Sequence, residues 1–415
     1  MKIKQKNTLI AILTIGFLLR LCFLIFFCNL EKDFYWEFGN IAKNLQAGNG
    51  YSLYYFSNDS LKHDFNPVKK PYPSAFMPPG YVFYIYPFLE INSVEIRNIF
   101  LLLSQIILSL LLIFASYFFA AKYFSERIGI ITALIISVLP EFIYSSLTFN
   151  AVIHYHLLII LSLFFIMDNN FCSDYKKIVI FSVISALILF FRSEYSVFLF
   201  FILLFYFFKK QYKVVFCITS IICVLYSPWI IRNYIVFGEF VPFTTSAGLN
   251  FYRGHNKEAI GDWGPIEFVR EIRDKSESKN FETAYNKSYF YKAIESVKTD
   301  YNKEIKNIFI KIYNFWIINP DDERSFNFFY LFPSLVILGL SIFGFFKTFS
   351  YSKYSFIYLF LFYSTLIAIV FFAIPRYQIM MKIAIIPFAA FTIDYFLLKK
   401  KKSIGFFTKK EIDNN

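Results

Sequence analysis

Long hydrophobic runs with almost no charge alternate with short basic segments along most of the chain. After a first run over residues 8–28, the others cover residues 99–123, 128–147, 152–167, 178–191, 195–208, 214–231, 328–346, 356–374 and 379–398. An apolar run of about 20 residues has the length that crosses ~30 Å of hydrocarbon as a helix. The pattern predicts an all-α, polytopic transmembrane helix bundle of about ten spans.

The first run predicts an uncleaved transmembrane helix. It follows three lysines and is longer than the apolar core of a typical signal peptide, and no small-residue cleavage pattern follows it. Arg20 lies within this run, where a charge needs either a partner inside the bundle or a route to the interface.

The segment 79–91 decides the orientation of everything after it. Its dozen or so apolar residues are few for a span and typical of an interfacial segment. If it does not cross, the short basic connections after it all face the cytoplasm, as the positive-inside rule requires. We therefore expect it to lie on the outer surface of the membrane, with both termini cytoplasmic.

This orientation divides the chain into six parts, with two long outward-facing loops that contain interfacial helices. The parts are a first transmembrane helix (1–28), a first extracytoplasmic loop (29–97), a transmembrane bundle (98–231), a second extracytoplasmic loop (232–325), C-terminal transmembrane helices (326–398) and a basic cytoplasmic tail (399–415).

Each long loop contains a helical pattern. In the first, an apolar stripe made by Phe34, Phe38, Ile41 and Leu45 runs beside a polar row made by Asp33, Glu37, Asn40 and Asn44. In the second, one longer stripe extends over residues 294–315, with lysines off it. This longer helix suits either a membrane surface or the face of the helical bundle.

Composition narrows the class of protein. The chain is 57% hydrophobic and only 17% charged, well below the usual quarter for a soluble domain. Its net charge of +13 lies largely in clusters beside apolar runs, which argues against nucleic-acid binding. Its cysteines and histidines do not have the spacing of a metal site, and we expect none built on them.

Asp33 and Glu37 are the candidate catalytic acids. They are four positions apart, so one helix beginning after the first span would carry both on one face at the outer interface. Partial desolvation there raises the pKa of a carboxyl and makes it a better general base. The alternative is a pair of solvated or helix-capping charges.

Candidate substrate-binding residues follow later spans. Arg192 and Arg376 lie at helix junctions on the predicted outer side, where a guanidinium either extends to the interface or binds a phosphate. Residues 243–256 hold glycines, amides, Arg253 and His255 in a segment that suits a sugar or a headgroup, or a simple turn.

Four segments in register resemble the GT-C class of bacterial integral membrane glycosyltransferases, related to protein O-mannosyltransferases and lipid A aminoarabinose transferases. They are DFYWEFGNIAKNLQAGNGYS (33–52), PSAFMPPGY (73–81), SPWIIRNYIVFGEFVPFTTSAGLNFYRGHN (227–256) and FFAIPRY (371–377). The resemblance implies transfer of a sugar from a polyprenyl-phosphate donor to a glycan, lipid or protein on the outer face of a bacterial plasma membrane. With a base on the side of the sugar opposite the phosphate, a single displacement would invert the anomeric centre.

The resemblance also implies residue roles. The first-loop base maps onto Asp33, with Glu37 as the alternative counterpart because the spacing to the helix differs among relatives. Arg376, followed by Tyr377, maps near the donor phosphate. No cofactor is expected, although carboxylates alone could hold a divalent metal. The alternatives are a transporter or flippase of lipid-linked sugars, a polysaccharide polymerase or ligase, and a non-enzymatic scaffold.

The charge pattern gives a topology prediction. A reporter fused after Lys401 should behave as cytoplasmic, and reporters near Asn58 and Ser276 as exported. Alkaline phosphatase and green fluorescent protein fusions measure this. A cytoplasmic signal from the Asn58 position would overturn the model, because both candidate acids would face the wrong compartment.

Overall fold

The computed structural model describes residues 3–34, 37–53, 71–262 and 281–412. The reporter positions near Asn58 and Ser276 lie outside the described residues, as do Tyr35 and Trp36 of the first-loop motif.

Helices make up most of the described chain. They are α1 (Ile3–Phe27), α2 (Glu37–Gln46), α3 (Pro79–Ile85), α4 (Val94–Tyr123), α5 (Glu126–Val138), α6 (Pro140–Ser145), α7 (Val152–Ile166), α8 (Tyr175–Phe191), α9 (Tyr195–Phe208), α10 (Tyr212–Phe237), α11 (Ala247–His255), α12 (Phe281–Thr299), α13 (Tyr301–Trp316), α14 (Phe328–Thr348), α15 (Ser355–Val370) and α16 (Pro375–Ile412). One antiparallel strand pair, β1 (Ser52–Leu53) and β2 (Tyr72–Pro73), joins two stretches within the first loop, with Ser52 opposite Pro73.

The apolar helices confirm the predicted all-α polytopic bundle. Within the described ranges, six helices are long and apolar enough to cross a membrane: α1, α4, α10, α14, α15 with the turn before it, and α16. The other predicted spans correspond to the shorter helices α5, α7, α8 and α9. Large apolar side chains stay exposed around the bundle, among them Phe26, Phe100, Phe216, Val224 and Phe346. So much exposed apolar surface identifies an integral membrane protein.

The segment 79–91 is too short to cross a bilayer. It forms α3, of seven residues, and a 3₁₀ turn over Tyr86–Glu90. Seven helical residues extend only about 10 Å, against ~30 Å of hydrocarbon. Gly80 lets α3 lie directly on α8, since a Cβ there would come within 2.7 Å of the Phe190 carbonyl oxygen. The shortness supports a segment that does not cross, and its outer location stays a prediction.

The predicted span 128–147 is two helices rather than one, because Pro140 interrupts it. Leu139 is extended and Pro140 begins α6, so α5 ends at Val138. Proline lacks the N–H that would bind the carbonyl of Ile136, and the last carbonyls of α5 therefore need other donors.

Arg20 of α1 supplies those donors. Its Nη1 donates to the Ser137 carbonyl at 3.0 Å, and its Nη2 donates to the Ile136 carbonyl at 3.4 Å. Its Nε donates to Ser109 Oγ of α4 at 2.7 Å. Of the two possibilities considered for Arg20, the interior partner is therefore confirmed.

The predicted second-loop helix over residues 294–315 is also two helices. Asp300 lies between α12 and α13 and accepts a hydrogen bond from the Lys303 N–H, which caps α13. The buried face of α13 is its polar row, made by Glu304, Asn307, Lys311 and Asn314. Ile305 and Phe309, on the apolar side, are exposed. The helix therefore packs on the protein through its polar row and leaves its apolar side exposed.

Candidate active site

Two glycines bring α11 into backbone contact with its neighbours. A Cβ on Gly248 would lie 2.0 Å from the Asn286 carbonyl oxygen of α12, and one on Gly254 would lie 1.6 Å from the Phe371 carbonyl oxygen after α15. No other residue fits either position without displacing α11. The close approach places Arg253 beside the segment that carries Arg376 and Tyr377.

Glu37, Arg253 and Arg376 form the charged centre of this region. Burial raises the pKa of the Glu37 carboxyl above its ordinary value, and the charges of Arg253 and Arg376 act in the opposite direction. Burial lowers the pKa of Arg253 to about 10, which leaves it charged at neutral pH. A carboxylate from the first loop therefore lies within electrostatic reach of two arginines from later parts of the chain.

Tyr377 connects Arg192 to this centre. The Arg192 guanidinium carbon lies 5.3 Å from the centroid of the Tyr377 ring, and that of Arg376 lies 6.0 Å from the same centroid. Arg192 Nε is 3.1 Å from Glu194 Oε1. The structure thus brings together five of the predicted site residues: Glu37, Arg192, Arg253, Arg376 and Tyr377.

Asp33 has a different environment. Its carboxylate accepts from Lys43 Nζ at 2.6 Å and forms a second ion pair with Arg97, while its side chain is 47% exposed. Burial would raise the pKa of Asp33, but Lys43, the Phe34 N–H and Arg97 together lower it below the ordinary value. Asp33 is therefore an ionised, ion-paired carboxylate at neutral pH.

The prediction that one helix face carries both acids is wrong. Asp33 lies in non-helical backbone, and α2 begins at Glu37. Phe34 is buried, with its Cβ 2.3 Å from the position that a Cβ on Gly39 would occupy, and its ring stacks edge-on with Phe149. The Phe34 ring is thus buried against Gly39 and Phe149, and Asp33 lies outside α2.

His255 lies in a separate buried cluster. Its Nδ1 is 2.7 Å from Glu304 Oε2, and its Nε2 is 2.9 Å from the Val370 carbonyl and 3.1 Å from Lys311 Nζ. Burial lowers the pKa of Lys311 to about 7. Both ring nitrogens of His255 are thus engaged by protein groups that join α11, α13 and the end of α15.

Glu282 is a buried carboxylate that sequence reasoning missed. It accepts hydrogen bonds from Ser74 Oγ, from the Ala75 N–H at 2.8 Å and from Thr245 Oγ1 at 2.6 Å. Arg232 donates to the Ser74 carbonyl and, at 2.6 Å, to the Tyr51 carbonyl. These contacts join the first loop to the second, and no local sequence signal marks Glu282 because its partners are distant in the chain.

Two further residues beside Arg253 were missed. The charge of Arg253 acts on the phenols of Tyr285 and Tyr289, both buried on α12. These two tyrosines are four positions apart, which puts both rings on one face of a helix. That spacing is the sequence feature from which the pair could have been found. In the part of the chain that the structure describes, no three His, Cys, Asp or Glu side chains form a group that could hold a metal ion.

Comparison with known proteins shows the fold. The match to the apo crystal structure of the Archaeoglobus fulgidus oligosaccharyltransferase covers 98% of this chain and 52% of that chain, at 12% identity and a TM-score of 0.56. Archaeal oligosaccharyltransferase AglB from Archaeoglobus fulgidus, in complex with an inhibitory peptide and a dolichol-phosphate, matches over 97% of this chain and 52% of that chain, at 14% identity and a TM-score of 0.53.

ArnT from Cupriavidus metallidurans bound to undecaprenyl phosphate matches at a TM-score of 0.42 and 11% identity, over 92% of this chain and 77% of that chain. No family model and no curated protein matches the sequence. The chain spans about half the length of the oligosaccharyltransferases. Their likeness confirms, at the level of the fold, the resemblance to GT-C membrane glycosyltransferases.

Glu282 gives a prediction about pH. Burial raises the pKa of Glu282 to about 7, so the folded protein holds this proton more tightly than the unfolded chain does. Its contribution to stability is complete below the unfolded pKa of about 4.5 and is lost as the pH rises through about 7, a change of ~3 kcal/mol. The Glu282→Gln variant keeps a neutral group there, so its thermal unfolding in detergent should depend less on pH in this window.

The matched control is Glu239→Gln, which removes an exposed carboxylate paired with Lys287. The melting temperature of this variant should depend on pH as in the wild type, because exposed ion pairs contribute little to the free energy of unfolding. An equal pH dependence in Glu282→Gln and the wild type would show that Glu282 does not carry the effect.

Proposed function

We propose that the chain is a membrane glycosyltransferase that moves a sugar from a polyprenyl-phosphate donor to a glycan, lipid or protein acceptor on the outer face of the membrane. The observation that carries the proposal is the partly buried Glu37 carboxylate within reach of the charges of Arg253 and Arg376. A base and a cationic phosphate site are the two parts that such a transfer needs.

The arginines suit a lipid phosphate. When the bond between the sugar C1 and the phosphate oxygen breaks, negative charge develops on the leaving phosphate, and guanidinium groups stabilise it. Arg253 and Arg376 lie near Glu37, and Arg192 joins them through Tyr377. A matching archaeal structure contains a dolichol-phosphate, which is consistent with a phosphate-bearing lipid for this fold.

Glu37 is better suited than Asp33 to act as the base. A general base works best when its pKa lies near the working pH, and burial moves the pKa of Glu37 in that direction. Lys43 and Arg97 lower the pKa of Asp33 and occupy its oxygens. We therefore assign the base to Glu37, and to Asp33 the positioning of the first loop against α4 through Arg97.

The reaction is a single displacement. Glu37 accepts the proton of the acceptor group as that group attacks C1 of the sugar from the face opposite the phosphate. The C1–O bond then breaks, its electron pair leaves with the polyprenyl phosphate, and the anomeric centre inverts. The three arginines carry the developing charge on the leaving phosphate.

The donor class can be tested with purified protein in nanodiscs. We expect transfer or slow hydrolysis of a polyprenyl-phosphate sugar and no reaction with the matching nucleotide sugar. Comparing envelope glycans by mass spectrometry, with and without the protein, identifies the acceptor. Efficient use of the nucleotide sugar without any lipid carrier would contradict the proposal, as would transport of the intact lipid-linked sugar without transfer.

Paired substitutions identify the base. Glu37→Gln keeps size and hydrogen bonding but removes basicity, and it should lower turnover by ~10²–10⁴-fold while donor binding persists. Asp33→Asn should lower turnover by a smaller factor, because Asp33 acts only through its ion pairs with Lys43 and Arg97. Turnover and donor affinity are measured separately for each variant. If Asp33→Asn were inactive and Glu37→Gln active, Asp33 would be the base and Glu37 the positioning residue. If both variants kept near-normal turnover, neither acid would be the base.

A further inference from the structure

A groove runs along α13, and its lining includes none of the residues of the Glu37 centre. Its volume is about 690 Å³, within the ~300–1,000 Å³ range of small-molecule sites. One wall is α13, and the other consists of Ala259, Ile260, Pro320 and Asp321. Gly261 makes the approach possible, because it adopts a positive φ of 86° and a Cβ there would lie 2.7 Å from Ile310.

Two buried asparagines line this groove with unused hydrogen-bonding atoms. Asn314 is fully buried, and neither its Oδ1 nor its Nδ2 has a partner among the described residues. Asn307 donates from Nδ2 to the Gly254 carbonyl at 2.8 Å, and its buried Oδ1 likewise lacks a partner within the described ranges. Buried polar atoms without partners destabilise a folded protein, so a polar ligand in the groove would satisfy them.

The polar groups of the groove suit a neutral ligand rather than an anion. Carboxamides donate and accept at once, as hydroxyl groups require. Lys303 is engaged with the Asn256 carbonyl, which its Nζ meets at 2.6 Å. Lys306 and Asp321 are exposed at the rim, and their opposite charges do not select an anion.

The rest of the lining is apolar and partly aromatic. Ile310 lies between the two asparagines along α13, and the rings of Phe309 and Tyr313 are exposed beside it. A sugar ring has apolar C–H faces and polar edges. Apolar walls with a few placed polar groups are the arrangement that binds such a ligand.

The groove is also fixed to the segment that carries Arg376. Gln378 Nε2 donates to the Asn314 carbonyl, and the Ala373 N–H donates to the Gly261 carbonyl at 3.0 Å. Asn319 Nδ2 donates to the Ala373 carbonyl at 3.3 Å. Each wall of the groove is therefore hydrogen-bonded to residues that flank Arg376.

From this geometry we infer that the α13 groove binds the sugar rings of a glycan acceptor, with Asn307 and Asn314 hydrogen-bonded to its hydroxyl groups. The inference rests on the proposed function, because it assigns the groove to the acceptor of the same transfer. Of the three acceptor classes named above, glycan, lipid and protein, the inference selects an acceptor that carries a glycan.

Photo-crosslinking in cells tests what occupies the groove. A benzoylphenylalanine at position 309 is irradiated in the full-length protein, and the adducts are identified by mass spectrometry. Adducts that contain hexose or pentose units support the inference. Adducts of acyl or polyprenyl chains without sugar, adducts of a peptide, or no adduct above an un-irradiated sample overturn it.

The Asn314→Leu variant separates binding from a structural role. Leucine has a similar volume and no polar atoms, so the melting temperature should stay equal or rise, while the glycan adduct at position 309 falls about tenfold or more. Asn302→Leu, an exposed position on the same helix, is the matched control and should leave the adduct unchanged. An unchanged adduct in Asn314→Leu would overturn the inference, as would a marked fall in melting temperature.

The two proposals fail in distinguishable ways. Donor hydrolysis by water needs no acceptor site, so Asn314→Leu should keep the wild-type hydrolysis rate and lose acceptor-stimulated transfer. A wild-type protein that does not react with any polyprenyl-phosphate sugar contradicts the glycosyltransferase, whatever the adducts are. A reactive protein whose groove adducts lack sugar contradicts only the acceptor groove.

Discussion

The Glu282 carboxylate is the interaction on which the candidate site depends. It binds Ser74 and Ala75, which precede α3, and Thr245, which precedes α11, while the Thr245 N–H donates to the Ala75 carbonyl at 3.0 Å. Glu37 belongs to the first of these loops and Arg253 to the second. Without a fixed junction between the loops, an acid and an arginine more than 200 positions apart would not share one site.

The first loop shows how environment separates two acids that are alike in the sequence. Asp33 and Glu37 are four residues apart beside one apolar stripe, yet Lys43 and Arg97 neutralise the first, and burial makes the second easier to protonate. Arg97 comes from the start of α4, and Arg253 and Arg376 come from far later in the chain. The pKa order of the two acids is therefore a property of the tertiary structure.

Local sequence patterns predicted where the helices lie in the chain, but not which face of each helix packs against the protein. The apolar stripe through Ile41 and Leu45 correctly predicted α2, because a helix period shows within ten residues. The stripe over 294–315 indicated helix but neither its break at Asp300 nor which side faces the protein, since periodicity does not say what lies opposite. In a membrane protein the buried side can be the polar one, as on α13.

The bond pattern of Arg20 has a consequence for how the chain enters the membrane. The chain is made from its N-terminus, so α1 reaches the bilayer before Ser109 of α4 and the broken end of α5 exist. Until then Arg20 has only the Gly16 carbonyl of its own helix as a partner, and a charge at the centre of a membrane helix costs ~2.5–3.5 kcal/mol on insertion scales. Arrival of α5, whose carbonyls Pro140 leaves open, relieves that cost. Arg20 therefore reaches its full set of hydrogen bonds only after α5 has been made, so the insertion of α1 depends on α4 and α5 as well.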